Sequence, residues 1–302
     1  MALLNRIPMS ISLFLTLLLQ GCLPTPILTD FPYQLDSATQ TFELPLALKE
    51  ISGITLGFDE KMLVAVEDET GRFFTIDKTN GAVVKEVTFW KDGDYEDVEV
   101  VNGEIFAVKS NGNIYRIQKP ATPEQVVVKY ESPLSKACDV EGLAHEPAKN
   151  RLLLSCKGNY GGVPKSRAVL SFDLKTLTYD TIPVYTIHWD SIVAFIRANP
   201  TLDRWEKLQE VFDPSQPELS FSPSALAIHP INGQLYLLSS VGKLLLVLDR
   251  QSGEILYIQK LSKKVHPQPE GLCFDADGTM YISNEGKEGL PLIHRFSYQP
   301  KK

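Results

Sequence analysis

Beyond its first thirty residues this 302-residue chain lacks the ~20 consecutive apolar residues that a membrane-spanning helix needs. It also lacks a basic excess. Thirty lysines and arginines face 37 aspartates and glutamates, a net charge of -7, so there is no general electrostatic case for binding nucleic acid. That balance favours cations or basic partners instead. The five histidines, at 145, 188, 229, 266 and 294, are scattered, and none sits in the paired helical pattern of a zinc protease. They read as turn, surface or packing residues. His188, beside Trp189 and Asp190, is the one that an insertion would bring over a pocket. No nucleophile-elbow sequence surrounds Ser155 or Ser239-Ser240. The glycine-rich stretch Asn159-Tyr160-Gly161-Gly162 follows Lys157 but lacks the lysine–hydroxyl ending of a phosphate loop. Its place is at a pocket entrance.

Cysteine is scarce, with four in the chain. Cys22 belongs to the first stretch. Cys138, Cys156 and Cys273 are odd in number, so a monomer leaves at least one unpaired. Cys138 and Cys156 are close enough in sequence to meet across a hairpin, a bond allowed outside the cytoplasm. Cys273 reads as a small core residue.

What the chain does have begins with a composition of 43% hydrophobic and 22% charged residues, which suits a folded globular protein. Arg6 precedes an apolar run from Ile7 to Leu19, a short positive region and a secretory hydrophobic core. The run ends Leu19-Gln20-Gly21-Cys22, which resembles a bacterial lipoprotein cleavage and lipidation box, with Gln20 a less usual occupant. The resemblance implies a signal peptide over 1–21, lipid on the Cys22 sulfur, a Pro24- and Pro26-containing spacer over 22–39, and a bacterial cell-envelope location. An ordinary signal peptide or an uncleaved anchor is the competing reading.

The body is organised by repetition. Five segments open Ile51-Ser52-Gly53-Ile54, Tyr95-Glu96-Asp97-Val98, Val140-Glu141-Gly142-Leu143, Pro223-Ser224-Ala225-Leu226 and Pro269-Glu270-Gly271-Leu272. Their second positions are 44, 45, 83 and 46 residues apart. Each opening is followed by a turn and a second apolar strand such as Ile105-Phe106-Ala107-Val108, then by a third and, in most, a fourth. A four-stranded unit every ~45 residues is propeller spacing. One small sheet cannot cover both its faces, whereas blades around an axis bury one another. The expected fold is therefore an all-β, five-bladed propeller over 40–302. The last repeat lacks a fourth strand, and Thr41–Leu46 would supply it. The long step holds two helical runs, Trp189–Asn199 and Leu202–Phe212, within an insertion over 188–218. The alternative is a degenerate sixth blade.

The repeat register aligns Glu96, Glu141 and Glu270, with Ser52 and Ser224 at the same position. At the start of the innermost strand these would line one mouth of the channel. Converging carboxylates repel unless protonated or bridged by a cation. Calcium suits an oxygen-only set, magnesium less so. A solvated acidic rim is the competing reading. Glu67, Asp68, Asp97, Lys109, Lys157, Asn284 and Glu285 lie close enough in register to extend a rim pocket.

The segments Leu48-Lys49-Glu50-Ile51-Ser52-Gly53-Ile54, Asp94-Tyr95-Glu96-Asp97-Val98-Glu99, Asp139-Val140-Glu141-Gly142-Leu143-Ala144 and Pro269-Glu270-Gly271-Leu272-Cys273 resemble the SdiA-regulated, YjiK-like propeller family over most of residues 41–298. The resemblance implies an exported propeller with a calcium site in its acidic end. Serines 52 and 224 leave that ring incomplete. Two functions follow: a ligand-binding or protein-interaction module of the cell envelope, or a metal-dependent hydrolase of a small ester or phosphoester, with Glu67 or Asp97 as base.

Overall fold

A computed structural model describes residues 30–213, 215, 220–287 and 289–300. The signal segment 1–21, Cys22 and the spacer up to residue 29 lie outside the described residues. No helix among the described residues is long and apolar enough to cross a membrane.

Twenty strands form five four-stranded antiparallel sheets among the described residues. Blade 1 comprises β2 (Ile51–Leu56), β3 (Met62–Glu67), β4 (Arg72–Asp77) and β5 (Val83–Thr88). Blade 2 comprises β6 (Tyr95–Val101), β7 (Glu104–Lys109), β8 (Ile114–Gln118) and β9 (Val126–Tyr130). Blade 3 comprises β10 (Val140–Glu146), β11 (Arg151–Cys156), β12 (Ser166–Asp173) and β13 (Thr178–His188). Blade 4 comprises β14 (Ser222–Ile228), β15 (Leu235–Val241), β16 (Leu244–Leu248) and β17 (Ile255–Lys260). Blade 5 comprises β18 (Pro269–Phe274), β19 (Met280–Asn284) and β20 (Leu292–Phe296), and β1 (Gln40–Glu43) completes it, Gln40 opposite Arg295 and Glu43 opposite Leu292. Pro45 falls just past this strand and heads a short 3-10 turn, so its missing N–H disturbs no ladder.

The blades are five, not six. The long step is an insertion of two helices, α1 (Trp189–Ala198) and α2 (Trp205–Val211). The second starts three residues later than the apolar pattern suggests, because Arg204 adopts a left-handed backbone ahead of it. Ile192, Ile196, Leu208 and Phe212 are buried against blades 3 and 4, and the Trp205 indole donates to the Ile196 carbonyl at 2.9 Å.

The core is divided into slices, one per blade junction. Val64 and Phe73 pack on Ile105 and Tyr115, Phe106 and Ile114 on Leu143 and Leu154, and Leu153 and Val169 on Leu237 and Leu246. Tyr236 and Leu245 meet Phe274 and Ile282, and Tyr281 and Ile293 meet Ile54 and Leu63. Strands buried on both faces explain the apolar runs. Each fully buried side chain of this size contributes about 1.5–3 kcal/mol. The segment before β1 joins the slice between blades 4 and 5. The Tyr33 hydroxyl hydrogen-bonds His229 Nε2 at 2.7 Å and the Gly278 carbonyl at 2.6 Å. The Cys138–Cys156 disulfide closes within blade 3, and Cys273 is the free, buried cysteine among the described residues.

Inner strands of successive blades approach closely where the repeats carry glycine. A Cβ on Gly53 would stand 2.5 Å from Asp97 Cα, and one on Gly271 2.6 Å from the Ser52 carbonyl oxygen. Backbone cannot yield as a flexible side chain would. Gly271→Ala is therefore expected to lower unfolding stability by about 1–3 kcal/mol, read as a reduced midpoint in urea. A midpoint equal to wild type would contradict the tight junction.

Candidate functional site

The five inner strands β2, β6, β10, β14 and β18 start at the same end of the ring, and each is bulged there. Pairing slips between Ile51 and Ile54, Tyr95 and Asp97, Val140 and Gly142, Pro223 and Ala225, and Pro269 and Leu272. The slipped stretches hold Ser52, Glu96, Glu141, Ser224 and Glu270. A bulge releases a residue from the ladder and re-aims its side chain. All five residues line one polar cavity of about 400 Å³ at the mouth of the ring.

Loops beside the inner strands add Asp68, Asp94, Asp139 and Glu285 to the lining, so seven carboxyls meet two lysines, Lys157 and Lys287. Lys157 Nζ pairs with Glu141 Oε1 at 2.6 Å, and Gln268 Nε2 donates to Glu270 Oε1 at 2.5 Å. Ser110 donates to Asp94. Ser283 accepts from the Gly271 N–H at 2.7 Å and donates to the Ser52 carbonyl at 3.0 Å, tying blade 5 to blade 1 beneath the lining.

Burial and crowding raise the proton affinity of these acids. Burial, then the Glu141 and Asp94 charges, push Glu96 up to about 10. Glu270 rises to about 8 through burial and its neighbours Glu285 and Glu141. Burial takes Glu141 to about 7, with Lys157 opposing the rise. Asp68 reaches about 6 through burial and the Glu50 charge. At neutral pH the mouth thus holds protons that an incoming cation would displace.

The other rim candidates divide. Asp68, Lys157 and Glu285 line the mouth; Glu67, Asp97, Lys109 and Asn284 are not in its lining. Glu67 accepts from the backbone N–H groups of Glu69 at 3.0 Å and Thr70 at 2.8 Å, and from the Thr70 hydroxyl, so it builds its own turn. Asp97 accepts from the Val98 N–H at 2.8 Å and the Leu143 N–H at 2.6 Å, latching blade 2 to blade 3. Lys109 lies over the Tyr95 ring, 4.3 Å from its centroid. Asn284 is fully buried at the end of β19, its amide without a hydrogen-bond partner among the described residues. Glu99, which closes the segment Asp94–Glu99, bridges three blades: it accepts from the Thr55 hydroxyl at 2.9 Å and the His145 N–H at 3.1 Å. Among the described residues, no group of three or more His, Cys, Asp or Glu side chains is arranged to hold a metal ion.

A second cavity, of about 550 Å³, adjoins the mouth and shares Asp139 and Lys157 with it. Its far side is formed by Lys165, Arg167, His188, Trp189 and Asp190. Sequence reasoning placed His188 over a pocket but passed over Lys165 and Arg167. A lysine in a turn and an arginine near the start of the strand after it carry no signal until blade 3 and α1 are brought together.

A family profile described as SdiA-regulated matches residues 28–157 and 207–288. No curated protein matches. Among solved structures, the glutaminyl cyclase of Myxococcus xanthus is 10% identical, with 88% of this chain and 97% of that chain covered and a TM-score of 0.55. A luciferin-regenerating enzyme is 11% identical over 85% of this chain and 95% of that chain, with a TM-score of 0.49. A nidogen/laminin complex is 11% identical over 78% and 72%, with a TM-score of 0.47. At such identity the cyclase shares the propeller fold, and its activity does not carry over.

The raised carboxyls make a signed prediction. Below about pH 4 they are protonated in folded and unfolded chains alike. As pH rises, the unfolded chain ionises first, so the stability that the mouth's retained protons contribute is lost through Glu141, near 7, and Glu270, near 8. In cation-free buffer the melting temperature should therefore fall between pH 5 and 8, and Glu270→Gln should flatten that slope. An identical slope in the variant would refute the crowding.

Proposed function

The chain belongs to the SdiA-regulated family, and we propose that it is a binding module of the bacterial cell envelope whose acidic mouth takes up the cationic group of a ligand. The observation that carries this is the convergence of five bulged positions, three of them glutamates, on one cavity. A cationic group entering there meets a low-dielectric, carboxyl-rich wall and replaces protons that hold the acids neutral. The five-bladed scaffold is suited to such binding because its loops can change without disturbing the slices between blades.

Calcium is a second reading, favoured by the oxygen-only character of the lining. Against a preformed centre stands the absence of a metal-ligating group among the described residues. The hydrolase reading has less support still. Glu67 and Asp97, its candidate bases, are occupied with backbone N–H groups away from the mouth.

Lipid on Cys22 would suit this geometry. Seven residues lie between Cys22 and Asp30, a reach of at most about 30 Å. The chain joins the propeller beside Gly278, in the turn between β18 and β19, at the end of the blades opposite the mouth. A chain tethered there would present its mouth away from the membrane. Radiolabelled palmitate should enter the wild-type chain in bacterial cells and not Cys22→Ser; equal labelling of the variant would remove the anchor from the proposal.

Titration calorimetry with putrescine and with calcium chloride tests the mouth. Putrescine should bind more tightly as pH rises from 6 to 8, with proton release, and Glu96→Gln/Glu270→Gln should weaken it at least about tenfold. Calcium binding that the double variant abolishes, without any putrescine response, would favour the second reading. If neither probe binds, the mouth is not a cation site.

A further inference from the structure

We infer that residues 33–41 form an acid-released clasp: buried histidines from three elements hold this segment only in their neutral form, and protonating them frees β1 from blade 5 while blades 2 and 3 stay folded. The clasp lies outside the mouth and does not depend on what the mouth binds.

The segment matters because it closes the ring. Tyr33 and Leu35 are buried in the slice between blades 4 and 5, and Phe42 and Leu44 in the slice between blades 5 and 1. Between them β1 covers the edge of β20. A histidine meets this course at its start, its middle and its end. His229, just after β14, bonds the Tyr33 hydroxyl. His266, in the loop before β18, bonds the Leu35 carbonyl through Nε2 at 2.9 Å. His294, on β20, bonds the Thr41 hydroxyl through Nδ1 at 2.8 Å. All three rings are buried, and those of His266 and His294 stand edge to face with centroids 5.7 Å apart.

The partners fix where each proton sits. A carbonyl only accepts, so the Nε2–H of His266 donates to Leu35 and that of His294 donates to Val265, at 2.8 Å. The Tyr33 hydroxyl gives its proton to the Gly278 carbonyl and therefore receives one from His229 Nε2. The opposite nitrogens are then lone pairs. His229 Nδ1 accepts from the N–H groups of Ile231 at 3.2 Å and Asn232 at 3.3 Å, and His294 Nδ1 accepts from the Thr41 hydroxyl. His266 Nδ1 has no hydrogen-bond partner among the described residues. A second proton would face two N–H groups on His229, break the Thr41 bond on His294 and find no acceptor on His266.

The surrounding charge does not favour a second proton. Tyr33, Tyr236, Phe274 and Tyr298 enclose His229. Asp277, on the turn that Tyr33 meets, accepts from the Thr279 N–H at 2.8 Å. His266 faces His294, Phe296, Asp36 and Arg204, and the last two pair with each other. His294 faces His266 and Phe296, while Lys263 and Lys264 on the adjoining loop are exposed. Burial takes His229 and His266 down to about 4 and lowers His294 as well. The folded values lie below the ordinary one, so the stability these rings give is whole above about pH 6.5 and is lost as pH falls through about 4. Burial raises more acids than it lowers histidines, so the fall in melting temperature from pH 5 to 8 persists and the clasp shows itself below that range.

Hydrogen exchange of the full chain, read by mass spectrometry and corrected for the intrinsic effect of pH, follows the clasp directly. Between about pH 6 and about pH 3.5, peptides covering 33–44 should lose at least about tenfold of their protection, while those from blades 2 and 3 keep theirs within about threefold. His266→Gln and His294→Gln each replace a titrating ring by an amide that still donates, so in either variant the loss should be at least about threefold smaller. If a variant does not fold, the contrast between 33–44 and blades 2 and 3 in the wild-type chain still decides. Protection of 33–44 that holds down to about pH 3.5, or that falls in step with blades 2 and 3, would overturn the clasp. An undiminished loss in both folded variants would also overturn it, and would assign the release to the Asp36–Arg204 pair.

Discussion

A one-residue slip at the start of every inner strand is the constraint on which the site depends. Five strands converging on an axis leave little room for side chains, as the glycine contacts at 53 and 271 show. A regular ladder would turn alternate residues into the neighbouring blade. The bulge frees one residue per blade from that alternation and points it into the opening. Because the same slip recurs five times, its consequences add: three glutamates and two serines reach one cavity from strands far apart in sequence.

Crowding those glutamates is tolerable only because the blades beneath are held firmly. Buried polar latches do this alongside the apolar slices. Asp97 joins blade 2 to blade 3, Glu99 ties blades 1, 2 and 3, and Ser283 joins blade 5 to blade 1. Buried polar groups of this kind stabilise only when satisfied, and an unpaired one is costly. Acids in this protein therefore have two distinct uses separated by a few residues. Those on the bulges face the opening and hold protons; those just after them hold backbone N–H groups of the next blade.

The helical insertion gives the ring its asymmetry. A closed five-bladed ring offers similar surroundings on every side of its mouth. Setting α1 and α2 against blades 3 and 4 builds a wall on one side and extends the opening outward there. The buried face of the pair, Ile192, Ile196, Leu208 and Phe212, is continuous with the slice between those blades, so the wall is part of the fold and is positioned as rigidly as the strands.

The repeat steps, the paired apolar strands and the missing last strand were enough to read a five-bladed ring closed by the segment before the first repeat, because burial imposes period and length on local sequence. The shared position of Glu96, Glu141 and Glu270 was legible for the same reason: equal register in equal blades means equal place on the axis. Which neighbouring acids join them was not legible. Asp68 and Glu67 are adjacent, yet the first lines the mouth and the second closes a turn with Thr70. That choice follows from side-chain direction and from the partners within reach, and both exist only after the blades have packed. The wall of the second cavity belongs to the same class, since Arg167 meets Asn159 and Ser222 across a junction that no local pattern encodes.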